Sequence, residues 1–394
     1  MSNRVNGKRV ILITGPPGNG RDEYLKEVLP KLGNELKVGY YHVFDYMKKV
    51  APSYNVPNLT RENVFNIAKS TLERIRDSAF ANVSSEIGKS KNQIEIISTP
   101  AVFRVTPWGD YLSGRVNGII LDHIKLLNPT NIIVFIDDLL RVREQMKKDP
   151  LRKRMHLALK DLPHWRRSVI EIAQEYAEQK IPSVDWIIFA KEHPVATFVD
   201  LSLGKKPRIY LSYHITAQQD FKGVHRFFDK LSANFVCIDP YTIKDWDIVT
   251  AYDTTLEGGP RSQISITVNY RDGPQTFSDI PVGEIEDAID LIRTQIVERD
   301  LLLIANVHAT VVYHKSVNPS YGVMAEVIHS VTTVSRPVYV LYPFKTRPSP
   351  FFEHYVKSEN IIHGNGAIED LEDEMVEKLK LNHKDWPTIS SSSC

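Results

Sequence analysis

The sequence predicts an α/β protein of two domains, each a parallel sheet covered by helices. Three observations carry that prediction. Short apolar runs of strand length alternate with longer polar–apolar stretches, the pattern of parallel strands buried on both faces. The pattern halts at a polar break, Gly204 to Pro207, and then restarts. A chain of 394 residues is too long for one ordinary core, while an apolar fraction of 42% is enough to build two.

The elements follow in order. "RVILIT" (9–14) is a buried strand, followed by a glycine-rich loop and a helix from about Asp22 to Leu32. "IEIIS" (94–98), "NIIVFID" (131–137) and "VDWIIFA" (184–190) are further strands, with helices of about Thr60–Ile87 and His164–Gln179 between them. These make a first domain of residues 1–200. The second, 207–385, opens with the strand "RIYLSY", a helix of about Asp220–Leu231 and the strand "NFVCID". A less regular insertion at about 243–280 holds a hairpin around "ISITVNYRDGPQTF". A helix of about Val282–Ile304, the strand "ATVVYH", a helix of about Gly322–Thr333 and the strand "PVYVLYP" complete the domain. Residues 386–394 read as a disordered tail of low complexity.

Composition removes several function classes. Lysine plus arginine (49) nearly cancels aspartate plus glutamate (48), so no basic field gathers nucleic acid or an anionic membrane. Cys237 and Cys394 are the only cysteines, which excludes a disulfide framework and a cysteine-rich zinc site and fits a reducing cytosol. The start of the chain has no apolar signal core and the longest apolar runs are of strand length, so a cytoplasmic protein without a membrane span is expected. His308, His314, His329, His354 and His363 are scattered without ligand spacing, and no metal is expected.

"GPPGNGRDEYL" (15–25) approaches a phosphate-binding loop, G-x-x-x-x-G-K-[ST], and departs from it. Gly15, Gly18 and Gly20 are present, but Arg21 and Asp22 stand where a lysine and a hydroxyl belong. Backbone amides and a helix N-terminus favour an anion there. Arg21 keeps the charge without the compact ammonium, and Asp22 sets a negative charge beside the expected phosphates. "VFDYMKKVA" (43–51), "TPAVFRVTPWGDYLSG" (99–114) and the arginine-rich "VREQMKKDPLRKR" (142–154) accompany the loop. Together these segments resemble archaeal-type adenylate kinase over about residues 8–195. The resemblance implies a site for ATP or another nucleotide at Gly15, Gly18, Gly20 and Arg21. It also places Ser98 where the family has its magnesium-associated aspartate. With Arg21, Asp22 and Ser98 all departing, a nucleotide-binding or purely scaffolding half is expected rather than an efficient kinase. Asp137 and Asp138, at a strand end, are expected to cap the next helix.

The second half carries the sharper signal. A strand ends in a polar loop, Ser316 to Tyr321; Gly322 opens a helix, and Glu326 lies about one turn further on. The helix N-terminus and the hydroxyls of Ser316 and Ser320 suit a phosphate. A carboxylate a sugar's width away suits attack on an anomeric carbon, although an acidic residue near a helix start is also favoured by electrostatics alone. "RIYLSYHI" (208–215), "ERDLLLIANVHATVV" (298–312) and "NPSYGVMAEVIHS" (318–330) resemble the nucleoside 2-deoxyribosyltransferase superfamily over about residues 207–345. The likeness is greatest to its 2'-deoxynucleoside 5'-monophosphate N-glycosidase branch. It implies a flavodoxin-like domain, a dimer, and no required cofactor. Glu326 falls on the nucleophile, Asp300 on the acid that handles the sugar hydroxyls and the base, and Tyr210 on the tyrosine of the opening strand. Ser320 and Gly322 fall on the phosphate turn, where serine in place of aspartate implies a phosphorylated substrate. Asn306 replaces a family aspartate, and the opening loop lacks the family's arginine-bearing turn, for which Lys222, Lys345 or Arg347 are the candidate substitutes. The expected function is cleavage of the base–sugar bond of a nucleoside 5'-monophosphate. A nucleoside-monophosphate kinase, an NAD-cleaving enzyme and a non-enzymatic nucleotide sensor are the alternatives.

Overall fold

The structure, a computed structural model, describes residues 8–104, 115–149, 158–180, 182, 184–215, 221–259, 261–316, 320–364 and 366–387. The run "VTPWGDYLSG", the basic end "PLRKR" of the arginine-rich segment, the end of the opening loop (216–220) and residues 317–319 lie outside them.

In chain order the strands are β1 (Arg9–Thr14), β2 (Val38–His42), β3 (Ile94–Ser98), β4 (Val102–Arg104), β5 (Arg115–Asn117), β6 (Asn131–Ile136) and β7 (Asp185–Ala190). Then come β8 (Arg208–Tyr213), β9 (Val236–Ile238), β10 (Gln263–Tyr270), β11 (Gly273–Pro281), β12 (Ala309–Tyr313), β13 (Val338–Tyr342) and β14 (Ile361–His363). They build two five-stranded parallel sheets, ordered β2-β3-β1-β6-β7 and β14-β13-β12-β8-β9, and two antiparallel pairs, β4-β5 and β10-β11. The α/β expectation holds, for the reason the sequence gives. β1, β3, β6, β12 and β13 are buried at every position or all but one, and are mostly apolar, because both faces of their sheets are covered. β10 instead alternates, burying Ile264, Ile266, Val268 and Tyr270 on one face.

The chain forms two compact units, Met1–Glu192 with Ile243–Ile296, and His193–Thr242 with Val297–Cys394. This differs from a single break near residue 200. The segment 195–203 is a helix, Val195–Leu203, closed by Gly204 in the left-handed conformation (φ 59°). The insertion and the residues that follow it, to Ile296, belong with the first unit, and their charges pair there. Arg143 Nη2 lies 2.6 Å from Glu284 Oε2, Arg166 Nη2 lies 2.6 Å from Asp245 Oδ2, and Lys160 Nζ lies 3.2 Å from Asp287 Oδ2. Contiguity along a sequence cannot show such a return.

Other boundaries also move. The helix expected from Thr60 begins at Lys69. Thr60 and Asn63 bond each other's amides with their side chains, a local alternative that competes with helix. The helix expected over 282–304 is two, Val282–Glu286 and Ile289–Ala305. Trp386, expected in the tail, is instead packed into the second unit. It is buried, stacks on Phe235 and donates Nε1–H to Tyr339 Oη at 2.9 Å. Residues 388–394 lie outside the described residues.

In the second unit one sheet face packs on the helices Lys222–Ser232 and Ile368–Asn382 through Phe227, Phe228, Met375 and Leu379. The other face packs on the helices Tyr321–Ile328 and Pro350–Tyr355 through Val323, Val327 and Phe352. Among the described residues no helix is long and apolar enough to cross a membrane.

Candidate active site

Alternation along β8 sets the geometry of the second unit's polar site. Ile209, Leu211 and Tyr213 enter the core beneath the helix Lys222–Ser232. Tyr210 and Ser212 therefore face the opposite side, toward the helix Tyr321–Ile328. That helix buries Val323 and Val327, one turn apart, and carries Glu326 beside them. Tyr210 Oη donates to Glu326 Oε1 at 2.9 Å, and the Ser212 hydroxyl donates to Oε2. Asp300, on the helix Ile289–Ala305, takes Arg299 Nε and Nη2 on its Oδ1, both at 2.9 Å. The structure thus brings Glu326, Tyr210 and Asp300 together.

Glu326 keeps some solvent contact as a residue, while its carboxylate lies deep among protein atoms. Burial first, and then the negative charge of Asp300, push this carboxyl up to about 8; the Ser212 and Tyr210 hydroxyls and the Arg299 charge pull the other way. Burial, Asp300 and Glu326 push the Tyr210 phenol well above its ordinary value, so it stays a donor. Helix Tyr321–Ile328 continues as a π-turn, His329–Thr333, a feature common at functional sites. There Ser330 Oγ donates to the Glu326 carbonyl at 2.7 Å and lies 2.9 Å from Thr310 Oγ1. Thr310 is the β12 partner of Tyr210, so the turn bearing Glu326 is tied to the strand beside Tyr210.

The turn expected to hold a phosphate is described in part. Ser320 is the N-cap residue of the helix Tyr321–Ile328 but makes no side-chain capping bond. A Cβ at Gly322 would meet Ser320 Oγ at 3.6 Å, an ordinary contact, so the protein itself does not demand glycine there. Ser316 follows β12, and residues 317–319 between it and Ser320 lie outside the described residues. Asn306 donates Nδ2–H to Leu302 O at 2.9 Å and so closes the end of its own helix.

In the first unit the glycine loop is braced. A Cβ on Gly15 would collide with Phe135 O, and Gly18 (φ 85°) and Gly20 (φ 71°) are left-handed. Asn19 donates Nδ2–H to Phe135 O at 2.6 Å and accepts the Arg21 amide at 3.2 Å. The three departures from the kinase pattern form one bonded cluster. Arg21 Nε donates to Asp22 Oδ1 at 3.2 Å, Ser98 Oγ donates to the same oxygen at 2.9 Å, and His42 Nε2 lies 3.4 Å from Oδ2. Burial works to raise Asp22, but His42, the Arg21 guanidinium and Ser98 outweigh it and hold the carboxyl well below its ordinary range. Lys191 Nζ lies over Gly20, 2.6 Å from where a Cβ would stand, and pairs with Asp137 at 3.2 Å. Arginines at the start of the lid-like segment are engaged by the chain itself. Arg143 pairs with Glu284, while Arg141 pairs with Glu192 at 2.8 Å and with Asp272 at 3.2 Å and lies 3.3 Å over the Tyr270 ring.

Asp138 does not cap as expected. It occupies the N-cap position of the helix Leu139–Lys148 without a capping bond, and its Oδ1 accepts the Lys244 amide. The first helical amide, Leu139 N–H, goes instead to Asp245 Oδ1 at 3.1 Å, supplied by the insertion. Asp137 Oδ1 accepts the Asp138 amide at 2.9 Å. Burial raises Asp137 to about 6 against the pull of Lys191 and Arg141, and burial with Asp137 and Asp245 raises Asp138 well above the ordinary range. Among the described residues no group of three or more His, Cys, Asp or Glu side chains is placed to hold a metal ion.

Sequence reasoning missed Ser212, Arg299 and Ser330 around Glu326, and Asn19, His42 and Lys191 around the loop. Ser212 had a signal, since it follows Tyr210 by two on one strand. His42 and Lys191 had none, being brought in by sheet order. Compared with known proteins, the chain matches no family model and no curated protein.

Proposed function

We propose that the second unit cleaves the base–sugar bond of a nucleoside 5'-monophosphate, with Glu326 as nucleophile. The observation that carries this reading is the Glu326 carboxylate, bonded to the hydroxyls of Tyr210 and Ser212 with no cation directly on it among the described residues. A carboxylate so held keeps lone pairs for an electrophilic carbon. An ionised Glu326 oxygen attacks the anomeric carbon, and the bond to the base breaks with its electron pair going to the base nitrogen, which takes a proton from solvent. Water then attacks the sugar ester, its hydroxyl staying on the sugar and its other proton passing to solvent, which frees Glu326 as the carboxylate and leaves the sugar phosphate. Asp300 is read as the group on the sugar hydroxyls, and Ser320 with the helix start as the phosphate cradle. The first unit is read as a nucleotide-binding or scaffolding partner without phosphoryl transfer, because Arg21 and Asp22 at its loop pair with each other and Arg141 and Arg143 of the helix Leu139–Lys148 pair with Glu192 and Glu284.

The test is a product screen. The full chain is incubated with ribo- and deoxynucleoside monophosphates, the matching nucleosides and NAD, and released base or nicotinamide is followed by chromatography. Base should be released from a monophosphate, and Glu326→Gln should fold and bind while release falls by several orders of magnitude. An active, folded Glu326→Gln, or nicotinamide as the sole product, would overturn the reading.

A further inference from the structure

We propose that Ser212 is a positioning residue of this site, its hydroxyl fixing the rotation of the Glu326 carboxylate and favouring the ionised form that attacks. The proposal rests on the N-glycosidase reading. Ser212 is fully buried on β8, paired with Val312 of β12, and its hydroxyl proton is directed at Glu326 Oε2. Tyr210, two residues earlier on the same face, holds Oε1. With one donor on each oxygen the carboxylate plane is set, and each oxygen retains a further lone pair for the anomeric carbon. Among the described residues, the charged and titratable groups that act most on this carboxylate are Tyr210 on β8 and Arg299 and Asp300 on the helix Ile289–Ala305. Arg299 is bonded to Asp300, so the direct stabilisation of Oε2 comes from Ser212. As Glu326 bonds to the sugar its charge drains away. When water cleaves the ester, Ser212 is in place to receive the returning carboxylate.

A purely structural Ser212 would act differently. Alanine fills nearly the same space on β8, so a packing role predicts little change, and any loss would be equal at every pH. The experiment compares wild type, Ser212→Ala and Ser212→Thr. Base release is measured across pH, and Glu326 ionisation is followed without substrate by infrared difference against Glu326→Gln. In Ser212→Ala, kcat/KM at neutral pH should fall about tenfold or more, the weight of one charge-assisted hydrogen bond. Its pH inflection and the Glu326 midpoint should both move to higher pH with KM little changed, and Ser212→Thr should restore both. An unmoved midpoint in Ser212→Ala overturns the role of Ser212, whether or not base is released. Absence of base release from wild type overturns the N-glycosidase reading and, with it, the attack assigned here, while the infrared midpoint still shows whether Ser212 holds the carboxylate ionised.

Discussion

Asp22 and Glu326 occupy sibling places in the two units. Each follows a parallel strand, a polar loop and the start of a helix, β1 leading to Arg21–Glu35 and β12 to Tyr321–Ile328. Their surroundings are opposite. Asp22 is met by Arg21, His42 and Ser98 and is held well below the ordinary carboxylate range. Glu326 is met by two hydroxyls, with Asp300 nearby, and is pushed up to about 8. The difference teaches that a strand–loop–helix places an acid, while the neighbouring charges decide what the acid can do. A paired carboxylate contributes stability and is a poor nucleophile; a buried one without a cation costs stability and is poised to react.

The comparison is broken most directly at Glu326. Beyond its loss of base release, Glu326→Gln should be more stable than wild type. The folded pKa lies above the ordinary value of 4.5, so the folded state holds the proton more tightly than the unfolded state between about 4.5 and about 8. Stability contributed by this group therefore falls as pH rises through that window. Gln escapes the cost, so the melting-temperature gap should open from about pH 5, reach several degrees near pH 8 and then level off. A variant less stable than wild type at pH 8 would mean that Glu326 is paired as Asp22 is.

Restoring the kinase motif should do the reverse. Arg21→Lys with Asp22→Thr removes the acceptor shared by Ser98 and Arg21 and the partner of His42. A loss of about 1 to 3 kcal/mol in denaturant unfolding is expected. Asp22 has a depressed pKa, so its contribution is present above the ordinary value of 3.8 and is lost as pH falls, and the gap to wild type should narrow in acid. The two acids should thus give opposite pH slopes. Phosphate transfer from ATP to AMP at ordinary rates of about 1 to 1,000 per second in the double variant would show that the loop lacked only two side chains.

How much of this was legible in the sequence follows from the range of each interaction. The inner strands of both sheets, β7, β9 and the β10–β11 hairpin could be found, because apolar runs are local, and motif spacing singled out Glu326, Asp300 and Tyr210; the edge strands β2 and β14, half-polar or only three residues long, could not. That Arg21, Asp22 and Ser98 compensate one another could not be, because Ser98 reaches Asp22 only through β3 lying beside β1. Nor could the return of residues 243–296 to the first unit, which depends on pairs such as Arg143 with Glu284 and Arg166 with Asp245. The polar Gly204–Pro207 drew the expected boundary to about residue 200, inside what is the helix Val195–Leu203.

A smaller effect sharpens the comparison at Ser320. The Ser320 hydroxyl makes no capping bond, so Ser320→Asp should be tolerated by the fold and should add a charge facing the proposed phosphate cradle. At about 4 Å a like charge costs about 1 kcal/mol in water and more where water is excluded. Binding of a nucleoside monophosphate, followed by calorimetry, should weaken about tenfold while the parent nucleoside is little affected. Equal losses for both would mean that the turn does not hold the phosphate.

The smallest expected effect is at Asp138, which tests whether position or charge environment classifies an acid in the first unit. Asp138 shares that unit with Asp22, but its surroundings resemble those of Glu326. Burial and the neighbouring Asp137 and Asp245 raise its pKa well above the ordinary value, and the buried Tyr270 phenol is a near neighbour. Its Oδ1 accepts the Lys244 amide, which ties down the start of the inserted segment. Asn supplies the same acceptor without a charge. In mildly acid solution, where the raised pKa keeps the carboxyl protonated, Asp138→Asn should lie within about 0.5 kcal/mol of wild type, inside the range of a neutral substitution. A gain should appear as pH rises, because wild type then bears the cost of ionising a buried acid. Asp138→Ala, which leaves the Lys244 amide without this acceptor, should lose about 1 to 3 kcal/mol at every pH. A large loss for Asp138→Asn in acid, read by denaturant unfolding, would show an ionised and paired Asp138, and the environment would then have failed to sort this acid with Glu326.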